Sequence, residues 1–325
     1  MYGINNYKNE LNIADEVNIG RVIEKTNYIY TIADSNYEFR KAETVSNLQS
    51  NEVFVGDFVE YTLFDDYNLI TSVKTRLNSV SKKASYAAKS FHEAENEQLL
   101  AANVDQLFVL IAADQRFTLS KFERYVFTFQ QDNIDMHVLI SKGDFEDLAE
   151  DIKQKILSVY PNFKVTVFSN LREESLIDIK KIFLKDKTSL LIGASGAGKS
   201  TLINNLLNDY KMNTNEVRID GKGKHTTTTT KMFYSDNLKS YIIDSPGFKT
   251  ISTTRDIDKS VLFEDIQKLS LDCKFNDCTH THEPKCAVLN AIENGEMSEA
   301  YYKRYKENLR VVKGQLRHEQ RKKVK

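Results

Sequence analysis

The sequence predicts a multidomain protein with an N-terminal all-β barrel, a central α/β domain and a mainly helical C-terminal domain that holds a metal. Three observations predict this architecture. Short alternating strands run from Ile19 to about Val80, strands and helices alternate from residue 106 to Leu207, and three cysteines fall between Cys273 and Cys286. We place the domains at residues 1–80, 81–250 and 251–325.

The composition is that of an ordinary soluble globular protein. The chain has 325 residues, of which 41% are hydrophobic and 28% charged, and its net charge of −1 does not by itself signal nucleic acid. No apolar run is long enough to span a membrane, and the N-terminus lacks the apolar core of a signal peptide. We therefore expect a cytoplasmic protein with no membrane partner. Nothing in the pattern indicates a dimer seam, so we expect a monomer.

The N-terminal domain shows the period-two pattern of short strands. Residues 1–17 are polar, and we expect them to be partly ordered at best. Tyr28–Ala33, Val53–Tyr61 and Leu69–Val73 then read as strands, with Gly56 at a turn or bulge. Several short strands in about sixty residues predict a small closed barrel of the OB type, which often binds nucleic acid. A barrel that serves only packing or protein contacts remains an alternative.

Two segments are strongly basic. Residues 74–89 carry five Lys or Arg and no acid, and residues 303–325 carry ten Lys or Arg against Glu307 and Glu319. Apolar residues recur at helical spacing from Tyr301 to Leu316, so one face of a C-terminal helix can pack while the basic remainder is exposed. Each segment is either a solvated surface or a contact to RNA phosphates.

The central domain alternates strands and helices, which predicts a parallel sheet with helices on both faces. The predicted strands are 107–111, 137–140, 164–168, 188–192 and 241–243, and the predicted helices are 120–131, 145–159, 176–184 and 201–207.

A phosphate-binding loop follows the strand at 188–192. The pattern Gly-x-x-x-x-Gly-Lys-Ser is met in full, and a helix with an apolar face begins directly after it. Small residues let the backbone N–H groups wrap around phosphate oxygens, and the helix start adds positive potential. Lys199 would reach the β- and γ-phosphates, and the Ser200 hydroxyl would hold Mg²⁺. The predicted nucleotide-binding residues are Gly193, Ala194, Ser195, Gly196, Ala197, Gly198, Lys199, Ser200 and Thr201.

Two further segments complete a triphosphate site. Asp244-Ser-Pro-Gly247 ends the strand at 241–243, so Asp244 would hold Mg²⁺ and the Gly247 N–H would face the γ-phosphate. Between the two motifs lies a threonine run, of which Thr227 or Thr228 would complete the Mg²⁺ shell when a triphosphate is bound.

Ser141-Lys-Gly-Asp144, at the end of the strand 137–140, matches the guanine-reading pattern Asn/Thr-Lys-x-Asp except at Ser141. Asp144 would accept two hydrogen bonds from guanine and repel the acceptor edge of adenine, while the Lys142 stem covers the base and Gly143 lies between them. Ser141 has a shorter reach than Asn, so affinity can be lower while guanine selectivity is kept. Ser169 and Asn170 would form the second base-contacting loop.

The order of these motifs differs from that of an ordinary GTPase, because the guanine motif precedes the phosphate loop by about fifty residues. A circular permutation explains this order, since the strands at 107–111, 137–140 and 164–168 then correspond to the second half of a GTPase sheet. The helix at 176–184 joins the former C-terminus to the first strand, which is sterically easy where chain termini lie close together.

The cysteine cluster reads Cys273-x₄-Cys278-x-His280-x₅-Cys286. Three thiolates and one imidazole fill a tetrahedral Zn²⁺ shell, and a shell closed by protein indicates a structural role. An odd cysteine count in a cytosolic chain also favours metal over disulfides. His282 is an alternative ligand to His280.

In their order along residues 19–320, these motifs resemble the circularly permuted GTPases of bacteria that depend on the small ribosomal subunit (the RsgA/YjeQ type). The resemblance rests on Ser-Lys-Gly-Asp, the phosphate loop, Gly-Lys-His-Thr-Thr-Thr, Asp-x-Pro-Gly and the cysteine cluster. It implies an OB barrel, a permuted GTPase and a zinc domain. It also implies GTP, GDP, Mg²⁺ and one structural Zn²⁺ as cofactors. The small ribosomal subunit and its rRNA would be the partners, with hydrolysis stimulated by that subunit during its late maturation.

Phe248 stands where Ras-like enzymes keep a glutamine that orients water, so intrinsic hydrolysis is expected to be slow. His225, or a group on the ribosome, would supply that role. Two other functions stay open from the residues alone. One is an RNA-binding module that nucleotide only stabilises, and the other is an ATP-dependent enzyme, which Asp144 disfavours.

Overall fold

The structure is a computed structural model that describes twelve stretches of the chain. They form two compact units. The first unit takes in residues 1–81, 98–116 and 131–250, and the second takes in residues 82–97, 117–130 and 251–325. The described stretches are 3–10, 17–26, 28–36, 38–46, 48, 52–64, 67–83, 97–129, 131, 133–207, 230–245 and 263–308.

The N-terminal strands of the first unit close into a barrel. The order is β1-β2-β3-β5-β4, and β4 pairs back onto β1 to complete the ring. Alternate residues point inward and form a core around Tyr30, Ile32, Val59 and Ile70. The predicted OB-like barrel is therefore confirmed. The strands are β1 (Ile19–Thr26), β2 (Ile29–Ala33), β3 (Phe39–Thr44), β4 (Phe58–Leu63) and β5 (Asn68–Val73).

The prediction for the first residues was wrong in part, because Ile4–Glu10 form a helix, α1. Ile4 and Tyr7 are buried, Tyr7 stacks on Phe58 with ring centroids 3.9 Å apart, and its hydroxyl donates to the Thr75 carbonyl at 2.7 Å. Two apolar residues in a polar segment give little signal, and so short a helix is stable only through tertiary contacts of this kind.

The rest of the first unit is the predicted α/β sheet. Its order is β10-β9-β8-β11-β13-β12, with β12 antiparallel to β13 and the other neighbours parallel. The strand that precedes the phosphate loop, β11, thus lies centrally, between strands that come before and after it in the chain. The strands are β8 (Gln106–Ala112), β9 (Asp135–Ser141), β10 (Lys164–Val167), β11 (Thr188–Gly193), β12 (Lys231–Ser235) and β13 (Ser240–Asp244).

Apolar side chains from the helices of this unit cover the sheet, with Phe108, Leu191, Leu202 and Phe183 in one continuous core. Besides α1, the described residues of this unit form α3 (Glu146–Leu157), α4 (Glu173–Lys181) and α5 (Lys199–Leu207). Helix α4 begins three residues earlier than predicted. The reason is that Glu173 and Glu174 suit the positive end of a helix, which a search for apolar periodicity overlooks.

Beyond the predicted elements, a two-stranded sheet pairs β6 (Ser79–Lys83) with β7 (Glu97–Ala102). Strand β12 was also missed, and it adds an antiparallel edge. Through the single pair Glu24–Lys231 it joins the α/β sheet to the barrel. The two parts of the first unit are therefore one continuous eleven-stranded sheet.

The second unit contains a helix from the middle of the chain, α2 (Leu119–Phe129), together with C-terminal helices. The buried carboxylate of Glu123 on α2 accepts from Arg304 Nε at 2.9 Å and from Asn308 Nδ2 at 2.8 Å. Both partners lie on a helix that covers 299–308 of the described residues, α8. Because a buried charge is tolerated only when it is paired, this network fixes α2 to α8. The other helices are α6 (Glu264–Ser270) and α7 (Ala287–Glu293).

His137 on β9 gives the fold a pH dependence. Its ring lies beside Phe108, its Nε2 is 2.9 Å from Thr166 Oγ1, and burial lowers its pKa to about 4. A histidine whose folded pKa lies below the unfolded value contributes stability above about pH 6.5, and this contribution is lost as the pH falls towards 4. We expect wild-type protein to lose about 1–2 kcal/mol more unfolding free energy than His137→Gln between pH 7 and 4.5.

Chemical denaturation at the two pH values measures this difference. The control is His282→Gln, on an exposed loop, which should follow the wild type. An undiminished acid sensitivity in His137→Gln would show that other groups carry it.

Candidate functional site

The phosphate loop is held in an open turn between β11 and α5. Gly196 and Gly198 have φ values of +77° and +82°, which other residues rarely adopt. The Lys199 ammonium folds back over the loop and donates to the Gly193 carbonyl at 3.2 Å. Burial lowers the pKa of Lys199, and Asp244 opposes that shift. The lysine is therefore preset above the loop, where a phosphate would replace the carbonyl as its partner.

Asp244 ends β13, the parallel neighbour of β11, directly beside Leu191. Its side chain is buried, and neither carboxylate oxygen has a hydrogen-bond partner within the described part of the chain. Burial raises the pKa of Asp244 to about 6, and Lys199 partly offsets this effect. A buried carboxylate that interacts with Lys199 of the phosphate loop fits a Mg²⁺ site, because oxygen ligands and retained waters suit this ion.

The guanine motif begins where β9 ends, next to the phosphate loop. Ser141 is buried, and its hydroxyl donates to the Ala197 carbonyl at 2.7 Å. The short Ser141 side chain thus still reaches the loop. Gly143 N donates to the Phe168 carbonyl at 2.8 Å, and a Cβ on Gly143 would lie 2.8 Å from Val167 Cγ1, so this position requires glycine.

Asp144 is exposed at the end of this motif. The Ser169 hydroxyl donates to its Oδ1 at 2.8 Å, and this hydrogen bond is the main reason that the pKa of Asp144 is lowered. A carboxylate that stays ionised and projects into solvent can accept two donors from a base. Ser169, predicted to line the base, is therefore placed to hold the Asp144 carboxylate.

Asn170 connects the base side to the phosphate side. Its Nδ2 lies 3.4 Å from the Gly198 carbonyl, and Asn205 on α5 donates to its backbone and side-chain oxygens at 3.3 Å. The structure thus brings together Ser141, Asp144, Ser169, Asn170, Lys199 and Asp244 around one loop. Four predicted residues, His225, Thr227, Thr228 and Gly247, lie outside the described residues.

Two residues at this site were missed by the sequence analysis. Asp114 accepts from the Lys142 ammonium at 2.6 Å, and Gln115 donates to the Ser195 carbonyl at 3.1 Å. Both follow β8 at its carboxyl end, and the carboxyl ends of parallel strands meet at one edge. Their position after β8 could therefore have placed both residues at the site from the sequence alone.

The candidate metal centre lies in the second unit. The ligand atoms of Cys273, Cys278, His280 and Cys286 all fall within 4.8 Å of one another. Cys273 Sγ and Cys286 Sγ are 3.8 Å apart, and His280 Nδ1 lies 3.6 and 3.4 Å from these two sulfurs. Two sulfurs bound tetrahedrally at ~2.3 Å from Zn²⁺ would be ~3.8 Å apart. The four side chains therefore fit one zinc ion in size and in donor type.

His280, and not His282, completes this set. The ring of His280 is buried, its φ is +54°, and the Tyr302 hydroxyl donates to its carbonyl oxygen. His282 is exposed. The Glu283 carboxylate accepts from the backbone N–H groups of Thr279, Thr281 and His282. These contacts hold the loop so that the imidazole of His280 faces the thiols.

A phosphate loop and a guanine-type motif in this inverted order, on a sheet fused to an OB-like barrel, define a circularly permuted GTPase. A protein-family model described as RsgA GTPase matches residues 74–254. The chain belongs to this family, and it is a GTP hydrolase.

Curated relatives extend the similarity over most of the chain. Small ribosomal subunit biogenesis GTPase RsgA 1 of Oceanobacillus iheyensis is 32% identical over 313 residues, which is 92% of this chain and 86% of that protein. Small ribosomal subunit biogenesis GTPase RsgA of Phocaeicola vulgatus is 31% identical and covers 88% of this chain and 94% of that protein.

Two solved structures share the architecture. YloQ, described as a circularly permuted GTPase, has a TM-score of 0.60 at 25% identity, covering 93% of this chain and 96% of its own. YjeQ from Thermotoga maritima has a TM-score of 0.61 at 25% identity, covering 91% of this chain and 99% of its own.

Among the described residues, no helix is both long and apolar enough to cross a membrane.

Proposed function

We propose that this protein binds the small ribosomal subunit and hydrolyses GTP to GDP and phosphate during late maturation of that subunit. The family and the names of its relatives support this role. The observation that best supports nucleotide binding is the Ser141–Ala197 hydrogen bond. This bond joins the segment 141–144 to the phosphate loop, although the segment precedes the loop in the chain.

In this proposal Asp144 reads the guanine edge and the Lys142 stem covers the base. The backbone N–H groups of residues 193–201 and the Lys199 ammonium hold the phosphates. Ser200 and Asp244 would hold Mg²⁺, which neutralises charge on the β- and γ-phosphates when it is bound. Thr227 or Thr228 would complete the Mg²⁺ shell, and the Gly247 N–H would face the γ-phosphate. His225 or a ribosomal group would orient the water, since Phe248 cannot.

We further propose three functional domains, at 1–80, 81–250 and 251–325. The barrel, the zinc-bound domain and the basic C-terminal tail contact rRNA in this scheme, and the protein acts as a monomer. The nucleotide state would change the segment after Asp244, which leads into the zinc domain. The proposed Zn²⁺ is structural, because protein ligands fill all four positions.

The decisive experiment measures turnover of GTP and of ATP with and without purified small ribosomal subunits. We expect slow GTP hydrolysis by the protein alone, clear stimulation by the subunits and little turnover of ATP. Equal use of ATP would contradict the guanine assignment. Binding to subunits without any stimulation would instead favour an RNA-binding module that nucleotide only stabilises. Wild-type stimulated rates in His225→Ala would remove His225 from the mechanism.

A further inference from the structure

Asp114 and Gln115, the second and third residues after β8, contact two different parts of the candidate nucleotide site. Asp114 Oδ2 accepts from Lys142 Nζ in the guanine motif at 2.6 Å. The next residue, Gln115, donates through Nε2 to the Ser195 carbonyl in the phosphate loop at 3.1 Å. All four residues lie in the first unit. One short segment therefore ties the base side to the phosphate side.

The Asp114–Lys142 ion pair holds the Lys142 side chain in one orientation. Lys142 has a φ of +58°, an unusual backbone conformation for a side-chain-bearing residue, and both side chains of the pair are about one third exposed. A lysine side chain loses rotamer entropy when it is held in one orientation. Anchoring its ammonium before nucleotide arrives removes part of this cost, and the four-carbon stem is left in one orientation to cover a base.

Gln115 acts on the phosphate loop in company with two other donors. Ser141 holds the Ala197 carbonyl, and Asn170 lies within 3.4 Å of the Gly198 carbonyl. These three side chains come from the ends of β8, β9 and β10, and each takes a different carbonyl of the loop. A peptide whose carbonyl is held on one side presents its own N–H on the other side. The loop amides are thereby turned towards the space where phosphate oxygens bind.

Gln115 also packs closely on the loop. A Cβ on Gly196 would lie 3.3 Å from Gln115 Nε2, so the amide lies against the glycine with φ +77°. The side chain therefore packs against the turn of the loop at Gly196 as well as holding one carbonyl.

We propose that Asp114 and Gln115 are positioning residues for the nucleotide, with Asp114 acting through Lys142 on the base and Gln115 acting through the phosphate loop. This inference rests on the proposed GTP site. It assigns Asp114 to the base of the nucleotide and Gln115 to its phosphates, so the two roles can be tested with different ligands.

The test measures dissociation constants of GDP and of inorganic pyrophosphate with the full chain. Asp114→Ala is expected to weaken GDP binding about 3–5-fold and to leave pyrophosphate unchanged, as for a half-exposed ion pair. Gln115→Ala is expected to weaken both ligands about 5-fold, as for the loss of one hydrogen bond.

Matched controls exist on helix α3. Asp151 pairs with Lys155 at 2.6 Å, and Gln154 Nε2 bonds to Glu150, so Asp151→Ala and Gln154→Ala remove the same chemistry on an exposed face. Both controls should bind GDP and pyrophosphate like the wild type. Asp114→Asn, which keeps the shape and removes the charge, should match Asp114→Ala.

A double-mutant cycle shows whether Asp114 acts through Lys142. In a Lys142→Ala background, Asp114→Ala should cost no further GDP affinity. Provided that the wild type binds GDP, two outcomes would overturn the inference. One is an equal loss of GDP affinity from Asp114→Ala in both backgrounds, and the other is wild-type affinity in the single variants. A wild type that does not bind GDP would overturn the proposed function and this inference with it.

Discussion

Asp244→Asn is expected to lower GTP turnover about 10²–10³-fold and, at the same time, to stabilise the nucleotide-free protein. The loss of turnover follows because, in the proposed mechanism, this buried carboxylate would hold Mg²⁺ at the phosphates. The gain in stability follows because an ionised carboxylate that is buried with no hydrogen-bond partner among the described residues carries a desolvation cost. Asparagine removes the charge at nearly the same volume.

The pKa of Asp244, raised to about 6, gives the size of the stability effect. At pH 7 the folded protein holds an ionised carboxylate whose burial makes ionisation costlier than in the unfolded chain, so replacement should add about 1–2 kcal/mol to the unfolding free energy measured without Mg²⁺ or nucleotide. The matched control is Asp236→Asn, whose side chain is 87% exposed. It should change neither quantity. Turnover by Asp244→Asn within threefold of wild type would remove Asp244 from the metal site.

His280→Ala is expected to abolish zinc binding and to unfold residues 263–308, whereas His282→Ala should leave both intact. Structural zinc contributes on the order of 10 kcal/mol in small zinc-dependent domains, which is comparable to the whole stability of a typical domain. The described part of this region holds short helices, α6 and α7 of seven residues each and α8 of ten. Helices of that length depend on their surroundings.

Zinc content and hydrogen exchange measure the two outcomes together. Wild type and His282→Ala should each hold one zinc ion, and exchange in α6 and α7 should rise sharply only in His280→Ala. Intrinsic GTP turnover should persist in all three proteins, because the phosphate loop lies in the other unit. Loss of zinc from His282→Ala with retention in His280→Ala would reverse the ligand assignment.

The parts of the site that sequence reasoning anticipated are those set by local pattern. Residues 193–201 carry their own glycines and lysine at fixed spacing, and the buried strand before them is a continuous apolar run. Cys273 to Cys286 are close in sequence, so their meeting around one metal needs little long-range information. The permuted order followed from matching motifs to strands, and the sheet order agrees with it.

What sequence reasoning missed depends on contacts between distant elements. Asp114 and Gln115 belong to no motif, and their roles appear only when β8 is seen beside β9 and β11. Helix α1 has two apolar residues, and their burial against Phe58 is what makes it a helix. The apolar face of α2 was expected, but its place in the second unit could not be read from periodicity, which shows that a face is buried and not what covers it.

The Glu123 network also sets an order of events during synthesis. Glu123 and Arg304 are 181 residues apart, so at ~5–20 residues per second the ribosome needs roughly 10–35 seconds to deliver the arginine after the glutamate. Throughout that interval the Glu123 side chain, which is fully buried in the folded protein, lacks its contacts with Arg304 and Asn308. The Glu123 network therefore cannot form in the nascent chain until residues 304 and 308 have left the exit tunnel. A chain cut before residue 304 would leave α2 without these contacts.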